Sequence, residues 1–166
     1  MNNLEGYTAN IGKIFSSDFF FRIPDYQRPF AWDEGHFIDL YSDITSAEEG
    51  QQYFLGTLVL HRKEDKSHYD VVDGQQRLTT LMILLACLRD RIEDEDIKKE
   101  LQDKILQKRS KIDSIPEKPR LEVKDRAIFK ELVLTENGTF SNKRISELPE
   151  PENRYLLAIK VFSDEL

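Results

Sequence analysis

The apolar positions of this chain fall into short β-type runs first and helical stripes later. Residues 18–24, Asp-Phe-Phe-Phe-Arg-Ile-Pro, predict a β segment stopped by Pro24. Asp33 can cap a helix reaching about residue 49. Phe37, Leu40, Tyr41, Ile44 and Ala47 share helical spacing there, and Gly50 suits the exit. Tyr53 to His61 is rich in β-branched and aromatic residues and predicts a strand. Residues 62–67 form a charged hairpin connection, and His68 to Val72 returns as a second strand. A helix over 76–92 follows at once, with Leu78, Leu81, Met82, Leu85, Leu88 and Ile92 as a wide apolar stripe. Such a stripe belongs in the middle of a domain. Asp73 and Gln76 stand at capping-box spacing, with Asp replacing the usual Ser or Thr.

The apolar density drops near residue 93. A charged helix over about 94–109 has a thin apolar face of Ile97, Leu101, Ile105 and Leu106, and Asp94, Glu95 and Asp96 sit at its start. Residues 114–119 hold two prolines and read as a loop. Leu121 to Val123 predicts a short strand, 125–134 a helix, and 135–151 a polar stretch with an Asn137-Gly138 turn. The closing NRYLLAIKVFSDEL predicts an amphipathic helix whose Leu156, Ile159, Val161 and Phe162 face the core, and it stops in mid-pattern. The expected organisation is a compact α+β core over 1–92 and a mainly helical extension over 93–166, cut from a longer protein.

Composition narrows the class. The chain has 166 residues, 39% apolar and 33% charged, enough for one core under a solvated surface. A net charge of -7 counts against the whole surface binding nucleic acid, which needs clustered Lys and Arg. The longest apolar run, Leu81 to Leu88, is too short to span a membrane, and the first residues lack the apolar stretch of a signal peptide. One cysteine excludes an intrachain disulfide. These features together predict a cytoplasmic protein without membrane attachment.

Two segments carry the candidate chemistry. Asp73-Gly74-Gln75-Gln76-Arg77 lies where a strand hands over to an apolar helix. Such a junction aims backbone N–H groups and the positive helix end at one point, where an anion can sit, and Arg77 adds a planar fork suited to phosphate. Capping alone explains Asp73 and Gln76 but not Gln75 and Arg77 as well. The other segment, Ile23 to Trp32, sets Gln27 and Arg28 between Pro24 and Pro29, flanked by Tyr26, Phe30 and Trp32. Aromatics beside an Arg suit base stacking and a phosphate grip; the plainer reading is a loop covering the core edge. His61 and His68 stand on facing strands without a third ligand at metal spacing, and Cys87 lies in an apolar helix as inert packing. No GxxxxGK[ST] loop occurs, so a P-loop NTPase is excluded on motif grounds.

Taken together, IPDYQRPFAW at 23–32, FIDLYSDI, YFLGTLVL at 53–60 and VVDGQQRLTTLMILLACL at 71–88 resemble the N-terminal domain of the GmrSD-type, modification-dependent (type IV) restriction family, strongly to about residue 92. PRLEVKDRAIFKELVL fits its looser helical part. The resemblance implies a ParB/sulfiredoxin-like α+β core, a small mixed sheet with helices, that binds and often hydrolyses a nucleoside triphosphate. It implies coupling to restriction of modified phage DNA, with cutting done by a separate C-terminal HNH-type nuclease domain or subunit. The three histidines here form no HNH pattern, so this polypeptide is not expected to be a nuclease alone. The family's DGQQR motif falls on Asp73 to Arg77 without departure. In its YQRPYxW motif Phe30 stands where Tyr is common, which removes a hydroxyl. The sulfiredoxin cysteine is missing from the helix-start loop.

On this reading Gly74 and the N–H groups of Gln75 and Gln76 cradle phosphate oxygens, Arg77 pairs one of them and Arg28 takes a second phosphate. Gln27 or Tyr26 meets sugar or base, and Trp32 and Thr79 complete the expected nucleotide set. Asp73 holds a Mg²⁺-bound water, orients the attacking water, or serves as a plain cap. GTP, ATP, CTP and UTP remain open as the nucleotide, with Mg²⁺ as the expected ion, and a homodimer is compatible with a ParB-like domain. Two other classes stay in view: a non-catalytic module that senses modified DNA through Arg28 and its aromatics, and an interaction domain whose motif residues brace the fold.

Overall fold

The structure, a computed structural model, describes residues 4–65 and 67–166. A short helix α1, Ile11–Ile14, opens it, capped by Asn10, whose side chain accepts from the Lys13 N–H at 2.8 Å. Strand β1 is Phe20–Arg22. Helix α2 is Glu34–Thr45, and Asp33 caps it as the pattern predicts, but it ends short of residue 49. Strands β2, Val59–Arg62, and β3, His68–Asp73, flank the charged connection. The central helix α3 is Gln75–Arg91 and α4 is Glu95–Ile105, started by the Asp94 side chain on the Asp96 and Ile97 N–H groups. Strands β4, Leu106–Gln107, β5, Lys118–Pro119, and β6, Leu121–Glu122, are short. Helix α5, Arg126–Phe129, runs into a π turn at Lys130–Leu134, 3-10 turns occupy Gly138–Phe140 and Ile145–Glu147, and α6 is Glu152–Glu165.

The fold is α+β with a small mixed sheet in the order β2-β3-β1-β6. β1 runs parallel to both β3 and β6, and β2 is antiparallel to β3. β6 comes from beyond residue 92 and yet hydrogen-bonds to β1, so residues on both sides of that point share one sheet and one apolar cluster. Leu156, Ile159, Val161 and Phe162 of α6 are buried in it, on the face the periodicity predicts. α3 is wrapped by α4, α6 and the turns between 130 and 140. Its burial is therefore wider than a stripe and takes in Thr79, Thr80, Ile83, Ala86 and Cys87, while Leu85 and Leu88 are only half-buried. Burial pushes the Cys87 thiol up to about 12, consistent with inert packing. No helix among the described residues is long and apolar enough to cross a membrane.

Further expectations change. The strand predicted over 53–61 shrinks to its last part, because Gly56 adopts φ +120 and takes residues 51–58 off the ladder. The helix predicted over 94–109 stops at Ile105, where the chain straightens into β4. The register pairs His61 with Asp70 and sets His68 beside Phe20 of β1, so the two histidines are not partners.

Asp70, buried on β3, accepts from Arg22 Nε at 2.9 Å and Nη2 at 3.1 Å, and pairs with Lys63 at 2.6 Å. The Arg22 hydrogen bonds hold its carboxyl below the usual range against the opposing effect of burial. A folded pKa below the unfolded value of about 3.9 means this stabilisation is complete above that value and disappears as pH falls through the folded one. Urea unfolding across pH should show stability dropping below about pH 4, with a shallower drop in Asp70→Asn. Superimposable pH profiles for the two proteins would refute the assignment.

Candidate functional site

β3 carries Asp73 to its last position, and Gly74 then turns the chain at φ 93, ψ 10. Only glycine enters that region freely. A Cβ there would also stand 2.5 Å from Leu58 Cδ2 and 3.0 Å from the Thr57 carbonyl oxygen. Gly74 is the N-cap of α3 and has no side chain to cap with. The capping box expected from Asp73 and Gln76 does not form, because the turn comes one residue later and leaves Asp73 in the strand, opposite Val59. The positive end of a 17-residue helix thus opens at Gln75 and Gln76 without a side-chain cap.

The glutamines of the two segments hold them together. Gln76, 5% exposed, accepts from the Ala31 N–H at 2.8 Å and the Trp32 N–H at 3.3 Å, and donates to the Pro29 carbonyl at 3.1 Å. Gln27 donates to the Val72 carbonyl at 3.1 Å, and Gln75 donates to the Gln27 side-chain oxygen at 3.4 Å. The remaining Gln75 oxygen, Oε1, is buried with no hydrogen-bond partner. Arg154 of α6 clamps the far end of the loop, donating to the Ala31 and Trp32 carbonyls at 3.3 Å. The 24–32 loop is therefore bound to the strand–helix junction along most of its length.

The charged residues do the opposite. Asp73 and Arg28 are exposed and Arg77 is half-buried, and none of the three side chains has a hydrogen bond or ion pair among the described residues. Arg28 stands between Gln27 and Pro29, both tied to the junction. The Arg77 guanidinium lies against Gly56, where a Cβ would overlap Nη1 and Cζ. Gly56, at φ +120, gives both the backbone turn and the room for this arginine.

The aromatics divide. Tyr26 is 78% exposed and free to stack on a ligand. Trp32 is half-buried and stacks on His36 at 5.2 Å. Phe30 is buried between Phe37 and Tyr155, at ring distances of 6.0 and 5.2 Å. The Thr79 hydroxyl, 1% exposed, donates to the Gln75 carbonyl at 2.7 Å, which braces the first turn of α3 from inside. The sequence reading missed the 56–58 segment, where Gly56 lies against the Arg77 guanidinium and Thr57 and Leu58 lie against Gly74. Its signal was a lone glycine within an otherwise strand-like run, which marks a close backbone approach.

A family model described as GmrSD restriction endonuclease, N-terminal domain, matches residues 11–166. No curated protein matches the chain. The chain belongs to the family of N-terminal domains of GmrSD-type restriction endonucleases.

Proposed function

We propose that this N-terminal domain binds a nucleoside triphosphate at the junction of β3 and α3 and thereby regulates a restriction protein that acts on modified DNA. One observation carries the reading: an uncapped helix start with two arginines and an aspartate that have no partners, beside glutamines all engaged in holding the loop. Unpaired charges gathered beside glutamines that tie the loop to the helix start suit a polyanionic ligand with a bound cation. The N–H groups of Gln75 and Gln76 would receive phosphate oxygens, and Arg77 and Arg28 would pair with phosphoryl groups from two sides. Gly74 would let the phosphates approach the backbone. Tyr26 would stack on the base or reach the sugar, with Gln27 beside it.

Asp73 does not cap α3, and it would hold a Mg²⁺-bound water or orient the attacking water. Mg²⁺, when bound with the nucleotide, would neutralise phosphate charge there. Trp32 and Thr79 would serve by fixing the loop and the helix start. The family supplies the setting, an N-terminal domain of a restriction endonuclease; a separate nuclease domain or subunit would do the cutting.

Calorimetric titration with GTP, ATP, CTP and UTP in Mg²⁺ tests this. Micromolar binding of one nucleotide is expected, and Arg77→Ala should weaken it at least about tenfold, since a charge-assisted hydrogen bond contributes about 1.5–3 kcal/mol. A folded wild type that binds none, with Arg77→Ala reducing only stability, would assign the motif to bracing the fold.

A further inference from the structure

On another part of the molecule a cavity of about 820 Å³ opens between the turns at 138–148 and α6. Its size is that of a small-ligand site. Lys143, Arg144 and Lys160 stand on its walls with Ser141 and Ser146, Leu156 and Ile159 help to floor it, and none of its described lining residues is acidic. In a chain of net charge -7 such a lining is not the average surface.

The charge beneath the cavity has the same sign. Arg91 donates to Thr139 Oγ1 at 3.0 Å and to Ser163 Oγ, both lining hydroxyls. Asp90, whose Oδ2 accepts from the Thr139 hydroxyl at 2.7 Å, is already paired with Arg89 at 2.7 Å. Arg91 has no ion pair among the described residues and therefore adds positive potential behind the wall. At the rim, Lys143 meets Glu131 at 3.3 Å and Arg144 meets Glu147 at 3.9 Å, and Lys160 has no ion pair among the described residues. Exposed pairs of this kind contribute little to stability and exchange readily for a stronger anion.

We infer that this cavity is a second anion site, separate from the β3–α3 junction, that takes the phosphoryl group of a phosphate ester. Lys143, Arg144 and Lys160 converge on the anion, the serine hydroxyls donate to its oxygens, and the apolar floor accepts the organic part of the ester. The ester is either a nucleic-acid strand or a small phosphate compound, and the chemistry of recognition is the same.

The test measures binding of a short labelled DNA duplex by anisotropy and of inorganic pyrophosphate by calorimetry, in wild type and in Arg77→Ala. The Arg77→Ala protein reports the cavity with the junction weakened. There the cavity should still bind, and a Lys143→Ala/Lys160→Ala replacement in that background should weaken binding at least about tenfold. Both side chains are outside the core, and circular dichroism verifies the fold. Binding of the duplex that weakens steeply from about 50 to 200 mM salt identifies a nucleic-acid strand as the source; binding of pyrophosphate alone identifies a small phosphate compound. Failure of the folded Arg77→Ala protein to bind either probe would overturn the site, and so would equal affinity after the double replacement. Neither result touches the nucleotide proposal, which rests on wild type against Arg77→Ala.

Discussion

Asp90→Ala is expected to cost about 3–5 kcal/mol of stability, the size found when one partner of a buried ion pair is removed. Arg89 is fully buried, and its guanidinium donates to Asp90 Oδ1 at 2.7 Å, Gln102 Oε1 at 2.7 Å, the Val133 carbonyl at 2.9 Å and the Thr135 carbonyl at 2.8 Å. Asp90 supplies the only carboxylate in that set. It also accepts from the Asn137 N–H at 2.9 Å, the Thr139 N–H at 3.1 Å and the Thr139 hydroxyl at 2.7 Å. Burial alone would raise its pKa, but the hydrogen bonds from Arg89, Thr139 and Asn137 outweigh it and keep the carboxyl below its usual range. Alanine leaves a buried cation without a counter-charge and two backbone N–H groups without acceptors. Domains have only about 5–15 kcal/mol to lose.

Urea unfolding gives the number. A change below about 1 kcal/mol would show that the 135–140 segment rearranges freely and that the pair is dispensable. The paired replacement Arg89→Met/Asp90→Leu should be less damaging than Asp90→Ala alone, because it removes the stranded charge together with its partner.

Gln76→Ala is expected to weaken both the fold and the nucleotide site. The lost side chain leaves the Ala31 N–H and the Pro29 carbonyl unsatisfied in a partly buried setting, at about 1–3 kcal/mol for each polar group kept from water. The 24–32 loop would keep Gln27 and Arg154 as anchors but lose its central one. Binding would then have to order Arg28 and Tyr26 at its own entropic cost, so affinity should fall even though no ligand contact of Gln76 is invoked. Gln76→Glu keeps the acceptor for Ala31 and Trp32 and loses the donor to Pro29, so it should lie between wild type and Gln76→Ala. Amide exchange at Ala31 reads the effect directly: slow in wild type, fast in Gln76→Ala. An Ala31 amide that exchanges equally fast in both would remove Gln76 from its anchoring role.

These two residues mark where reading the chain in order reaches its limit. Asp33 and Asp94 announce their helices through capping chemistry that acts within three residues, and both helices start where that chemistry places them. Leu156, Ile159, Val161 and Phe162 announce a buried face through spacing alone. The strand–turn–helix junction at Gly74 is equally local, as are the charges of Arg77 and Asp73 beside it. Gln76 looked like half of a capping box because its neighbour at the right spacing is an acid. It instead reaches loop atoms about 45 positions away, which no short-range pattern encodes.

The chain sequence by itself thus determined the helices and strands with strong local signals, the α+β class, the apolar face of α6, and the motif at the start of α3. Only the tertiary structure decided that β6 closes the sheet beside β1, that Gly56 shelters Arg77, that Thr79 and Phe30 turn inward, and that Arg89 and Asp90 satisfy each other in the core. Periodicity and capping are properties of neighbouring residues along the backbone. The partner of a buried polar group is set by which distant elements the packed core brings within hydrogen-bond reach.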